Sequence, residues 1–166
     1  MNNQLYANNF KGVVDGYPYV PEYIQGHRRH GLYTPAWYIG VSMRMGRGEG
    51  RHDDLNVYLG KESLPAGRYE LNLPDPEENY PSVSYVKNAG NGWIRRYRAT
   101  AGWVEFKYNA DRTHVEAQFE ASFPSTEVGF HASGTLESNI EDQDTKDGKV
   151  TEKDLRMLYD FKQCGE

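Results

Sequence analysis

Apolar residues recur at every second position through most of residues 37–136, and this period limits the fold more than any other feature of the chain. A β-strand points successive side chains to opposite faces, whereas a helix repeats about every 3.6 residues, so the pattern selects half-buried strands over a helical bundle. Trp37, Ile39, Val41, Met43 and Met45 fall on one face, with Tyr38, Gly40, Ser42 and Arg44 on the other. Leu55, Val57 and Leu59 repeat the pattern after a predicted loop over 46–54. Leu64-Pro65-Ala66-Gly67 then turns the chain into Tyr69, Leu71 and Leu73, and Pro74 and Pro76 end that run because proline cannot donate to a sheet ladder.

The second half repeats the logic. Val83, Tyr85 and Lys87 open a short strand, and 93–100 form a longer one. Val104, Phe106 and Tyr108 lead through the turn Asn109-Ala110-Asp111-Arg112 into Val115, Ala117, Phe119, Ala121 and Phe123, which is a hairpin pattern. A further turn over 124–127 precedes Val128, Phe130 and Ala132. Pairing Phe123 with Val128 would place Phe119 opposite Ala132 inside and Glu120 opposite His131 outside. Val104, Phe106, Val115, Ala117, Phe119 and Phe130 are the predicted core. Phe10, Val13 and Val14 read as a first strand that turns at Asp15-Gly16. One helix is predicted, over about 152–161, where Thr151 caps a run carrying Leu155, Met157, Leu158 and Phe161. Those apolar positions need a surface, and docking on the chain's own sheet is expected because so short a helix is marginal alone. The expected fold is mainly β: one domain over 1–166, an antiparallel β-sandwich over about 10–140, then an acidic loop and a short C-terminal α-helix over about 141–162.

Composition excludes several alternatives. Hydrophobic residues are 37% and aromatic residues 13% of 166, which supplies a core that a disordered chain lacks. The net charge of −5 arises in the last third, and the arginines are scattered rather than clustered, so nucleic acid is not an expected partner. No apolar run approaches the roughly 18 residues of a membrane-spanning helix. Residues 1–10 lack the basic-then-apolar order of a signal peptide. Cys164 is the only cysteine, so neither an internal disulfide nor a multi-cysteine metal site can form.

The segments Phe10-Lys-Gly-Val-Val-Asp-Gly16, Leu64-Pro-Ala-Gly-Arg-Tyr-Glu-Leu71, Ala101-Gly-Trp-Val-Glu-Phe106, Val115-Glu-Ala-Gln-Phe-Glu-Ala121 and Ala132-Ser-Gly-Thr-Leu136 follow one another in this order. Over about 10–138 the chain thereby resembles a β-sandwich family of bacterial envelope lipoproteins. The resemblance implies a cell-envelope location. It brings no catalytic residues with it.

Among motifs, the acidic run from Asp142 to Asp154 carries the most chemistry. A calcium loop of the EF-hand type needs spaced carboxylates, a glycine for its sharp turn, and an acidic ligand six residues beyond that glycine. Asp147, Gly148, Val150 and Asp154 meet the rear of that pattern. At the front, Gln143 and Thr145 stand where carboxylates belong, so Asp142 and Asp144 serve only with one residue inserted. Calcium held by Asp142, Asp144, Asp147 and Asp154 is thus the one cofactor expectation, against an acidic turn before a capped helix. The glycine-rich run Gly46-Arg-Gly-Glu-Gly-Arg51 lacks both phosphate-loop spacing and a following helix, and reads as a hairpin loop. His27-Arg28-Arg29-His30 between Gly26 and Gly31 reads as a solvated basic loop, and His52, Asp53 and Asp54 form a small acidic-imidazole cluster. Ser42 and Ser133 lack the nucleophile-elbow context, and no nucleophile, base and orienting group can be named together. Tyr17, Tyr19, Tyr23, Tyr33 and Tyr38 crowd the first forty residues, a composition suited to stacking on sugars or anchoring a protein. The reading is a non-catalytic binding or structural module with a protein or glycan partner. Two alternatives are a calycin-like barrel enclosing a small apolar ligand near Trp37, Tyr38 or Phe106, and a hydrolase with a cleft site.

Overall fold

A computed structural model describes residues 8–31, 36–72, 80–124 and 130–143. It contains eleven strands: β1 (Asn9–Val14), β2 (Tyr17–Pro18), β3 (Tyr23–His30), β4 (Trp37–Gly48), β5 (Arg51–Lys61), β6 (Gly67–Glu70), β7 (Ser82–Asn88), β8 (Ile94–Arg98), β9 (Ala101–Tyr108), β10 (His114–Phe123) and β11 (Phe130–Asp142). The mainly β expectation holds. In place of the two separate sheets of a sandwich, all strands join one sheet in the order β6-β9-β10-β11-β3-β4-β5-β7-β8, with β1 and β2 added beside β11. The sheet curls into a half-barrel. The length of β11 explains this: residues 130–139 pair with β10, while its other edge pairs first with β1 and then, over 140–142, in parallel with β3. One strand therefore belongs to both halves. The predicted helix over 152–161 lies outside the described residues, as do Leu73, Pro74, Pro76 and Val128. No helix among the described residues is long and apolar enough to cross a membrane.

The two halves share a filled core. All six predicted core residues are buried, together with Ile39, Val41, Met43, Leu55, Val57, Leu59 and Val83. Aromatic rings connect the halves: Tyr85 of β7 meets Phe123 and Phe130 edge-on at 6.3 and 5.5 Å, and those two phenylalanines stack at 4.7 Å. The arrangement departs from the barrel alternative. Phe106 belongs to this packed core, Tyr38 stacks on Tyr58 at 6.4 Å, and the sheet ends on β6 and β8 without closing.

Phe10 shows how sequence and packing interlock. Gly12 and Gly134 are cross-strand partners, and a Cβ on Gly134 would lie 2.6 Å from two ring carbons of Phe10. The ring occupies the space that both glycines leave open, as aromatic residues do over sheet glycines. Gly134→Ala should therefore cost about 1–3 kcal/mol through overpacking, read as a fall in the denaturation midpoint. Combined with Phe10→Leu, the two losses should be less than additive; strict additivity would mean that the ring lies elsewhere.

Three local expectations are corrected. The loop predicted over 46–54 is a tight hairpin, with Glu49 (φ 54°) and Gly50 (φ 74°) between β4 and β5. Two left-handed turn residues match the twist of the flanking strands and let both continue to the turn. The basic stretch His27–His30 lies in β3 rather than a loop, because Asp142 and Glu62 neutralise Arg28. Finally, the β10–β11 register differs by two residues: Phe123 pairs with Phe130, Phe119 with Gly134, Glu120 with Ser133, and Ser122 with His131. A slip of two preserves the faces, so Phe119 is still inside and Glu120 outside.

Candidate binding groove

The face of β3, β4, β5 and β7 that points away from the core is unusually polar. Strand alternation sends Val41, Met43, Leu55, Val57 and Val83 inward and their neighbours outward. Pairing then places Gln25, Ser42, Asn56 and Ser84 in one row across four strands, continued by Arg98 on β8. On one side runs the row Tyr23, Arg44, Asp54, Val86 and Arg96; on the other run His27, Gly40, Tyr58 and Ser82. Apart from Ser82 and Arg98, the residues of these rows line a groove of about 560 Å³. Ser84, on its floor, is buried although it faces outward.

Gly40 makes room at one end. A Cβ there would lie 3.0 Å from His27 Nε2 and 3.6 Å from a Tyr58 ring carbon, so imidazole and phenol both lean over the bare backbone. Burial, and secondarily the neighbouring Arg29 guanidinium, pull the His27 pKa down to about 3, which keeps the ring neutral at physiological pH. At the other end Arg44 grips the Asp54 carboxylate with two hydrogen bonds, at 2.8 and 3.1 Å, and His52 Nε2 lies 3.7 Å from the same carboxylate. The Tyr23 hydroxyl donates to Gln25 Oε1. Among the described residues, the groove lining carries Arg29, which donates to Gln143 Oε1 at 2.7 Å, Arg44, held by Asp54, and Arg96. Such a surface offers neutral hydroxyl and amide groups along its floor, with cationic flanks and phenol rings beside them.

The residues singled out from sequence are dispersed. Asp142 accepts two hydrogen bonds from Arg28, at 2.7 and 2.9 Å, where β11 meets β3. Asp144, Asp147 and Asp154 lie outside the described residues, as do Tyr33 and Cys164. The His52-Asp53-Asp54 cluster is split by strand alternation, because His52 and Asp54 face the groove while Asp53 points inward to Tyr85 and Arg47. His27 and His30 likewise part: His27 lines the groove, and His30 meets Trp37 edge-on at 5.2 Å. Ser42 is in the groove, whereas Ser133 sits opposite Glu120 on the far half. Of the tyrosines, Tyr23 lines the groove, Tyr19 and Tyr38 are buried, and Tyr17 is 77% exposed at the start of β2. A serine–histidine contact not anticipated from sequence joins Ser122 Oγ to His131 Nδ1 at 2.8 Å, with no carboxylate in ion-pair contact with that imidazole among the described residues. Gln25, Asn56, Tyr58 and Ser84 also escape sequence reasoning. Their signal is present as polar outward positions on adjacent strands, but reading 27–30 as a loop hides the strand that completes the row. No known protein family, curated protein or solved structure matches this chain.

Proposed function

We propose that this protein is a non-catalytic binding module whose groove on β3, β4, β5 and β7 takes a hydroxyl-rich anionic ligand, with an acidic saccharide as the fitting chemical class. The observation that carries this reading is the in-register row Gln25, Ser42, Asn56 and Ser84, flanked by Arg29, Arg44 and Arg96. Hydroxyls and amides of this kind can donate and accept at once, as sugar hydroxyls require. The positive charge of the guanidinium groups along the flanks attracts an anion, and Tyr23 and Tyr58 provide faces on which a pyranose can lie. The resemblance to envelope lipoproteins adds a location where acidic glycans are met, and the core shared by the two halves of the sheet supports a sandwich-like reading of the curled sheet.

Calorimetric titration with a panel of uronic-acid and sialylated oligosaccharides, against neutral oligosaccharides of equal length, tests the proposal. At least one acidic sugar should bind, more weakly as salt is raised, while the neutral ones should not. Asn56→Leu should reduce that affinity at least tenfold with an unchanged melting temperature. Equal binding of acidic and neutral sugars, no binding by any of them, or full affinity in Asn56→Leu would overturn it.

A further inference from the structure

The other half of the sheet carries a second outward-facing groove, of about 680 Å³, along β9, β10 and β11. Glu116 and Glu137 line it, and His114 stands beside them. Glu116 pairs directly with Glu137 across β10 and β11, and His114 lies two residues from Glu116 on the same strand, hence on the same face. Donor atoms of the three side chains all lie within 4.8 Å of one another. His114 Nε2 stands 3.6 Å from Glu137 Oε2. That distance is too long for a hydrogen bond. It is close to the separation of two ligands on one tetrahedral ion, about 3.4 Å for bonds of roughly 2.0–2.1 Å.

Electrostatics point the same way. Two carboxylates directly opposite on one sheet face repel. Lys107, opposite Glu116 on β9, offsets one of them with Nζ 2.9 Å from Oε2. Glu137 lies beside the imidazole of His114, which is only 5% exposed. We infer that His114, Glu116 and Glu137 form a site for one divalent transition-metal ion of the zinc class, bound through one imidazole nitrogen and one oxygen of each carboxylate. Calcium and magnesium prefer all-oxygen shells of six or more ligands, whereas a mixed nitrogen and oxygen set with few donors suits zinc. Three protein ligands leave one coordination position open, and Glu116 and Glu137 line the groove into which it would face.

The test titrates zinc chloride, with magnesium and calcium chloride as controls, into the full chain after chelator treatment. Calorimetry and the melting temperature are the readouts. One zinc per chain should bind and raise the melting temperature, because an ion that binds only the folded state stabilises it, while magnesium and calcium should do neither. Glu137→Gln, at a part-exposed position, should weaken zinc binding at least tenfold, and His114→Gln should do the same if it folds. Cobalt should give the visible spectrum of a tetrahedral nitrogen and oxygen site, absent in Glu137→Gln. No zinc binding, or zinc binding unaltered by Glu137→Gln, would refute the site.

Discussion

Truncating Phe119 to alanine should remove roughly 3–5 kcal/mol of stability, a large share of the roughly 5–15 kcal/mol that holds a domain together. Phe119 is 1% exposed on β10, with Val104 and Gly134 as its register partners on either side. Its ring stacks on Phe10 at 6.2 Å with 21° between the planes. Phe10 is in turn the ring that fills the space over Gly12 and Gly134. Removing Phe119 therefore opens a cavity and withdraws the support of a second aromatic residue. The site cannot collapse cheaply, because β10 is hydrogen-bonded on both edges, to β9 and to β11. Urea unfolding followed by aromatic fluorescence would measure the loss, and Phe119→Leu should cost clearly less. A loss below about 1 kcal/mol for Phe119→Ala would mean that this packing is not the centre of the core.

Asp53→Ala is expected to cost about 2–4 kcal/mol, most of it from one stranded hydroxyl. Asp53 lies inward on β5 with little exposure, an unusual place for a carboxylate. It accepts hydrogen bonds from the Tyr85 hydroxyl at 2.6 Å and from Arg47 Nε at 2.7 Å, while the Tyr19 hydroxyl donates to the Asp53 backbone carbonyl at 2.8 Å and to that of Met43 at 3.1 Å. Burial first, then the hydrogen bond to Asp53, pushes the Tyr85 hydroxyl well above its ordinary pKa, so it remains a donor at all relevant pH. Without the carboxylate that donor is stranded, at about 1–3 kcal/mol. Arg47 is half-exposed and returns to water, so its share is at most about 1 kcal/mol. Asp53→Asn, which keeps an acceptor for Tyr85, should recover part of the loss. Equal midpoints for Asp53→Ala and the parent would show that the network contributes nothing to folding.

Which residues face the core is legible along the chain, since alternation is a property of the strand itself: Ile39, Val41 and Met43, then Val115, Ala117 and Phe119, are buried as their period implies. Turn chemistry is legible for the same local reason, and Asn109 closes the β9–β10 hairpin by accepting from the backbone N–H of Thr113 and His114. The register of β10 on β11 is not. A shift of two residues exchanges one allowed ladder for another and leaves every side chain on its face, so the hydrophobic pattern does not distinguish them.

Strand β3 is hidden from local reading because the partners that neutralise Arg28 come from Glu62 and Asp142, 34 and 114 residues away. The groove follows from the same kind of non-local fact. Each of Gln25, Ser42, Asn56 and Ser84 is an ordinary outward polar residue on its own strand, and they become a row only where hydrogen bonding aligns four strands. Likewise Glu116 and Glu137, far apart in sequence, become neighbours through the ladder between β10 and β11. Residue order was enough to specify a mainly β chain and the inward face of most of its strands, because alternating side chains respond to the solvent locally. That one long strand, β11, joins both halves into a single curled sheet, and hence which outward residues meet, was set by the assembled fold. The reason is physical: ladder pairing is chosen among alternatives of equal local pattern by contacts distant in the chain.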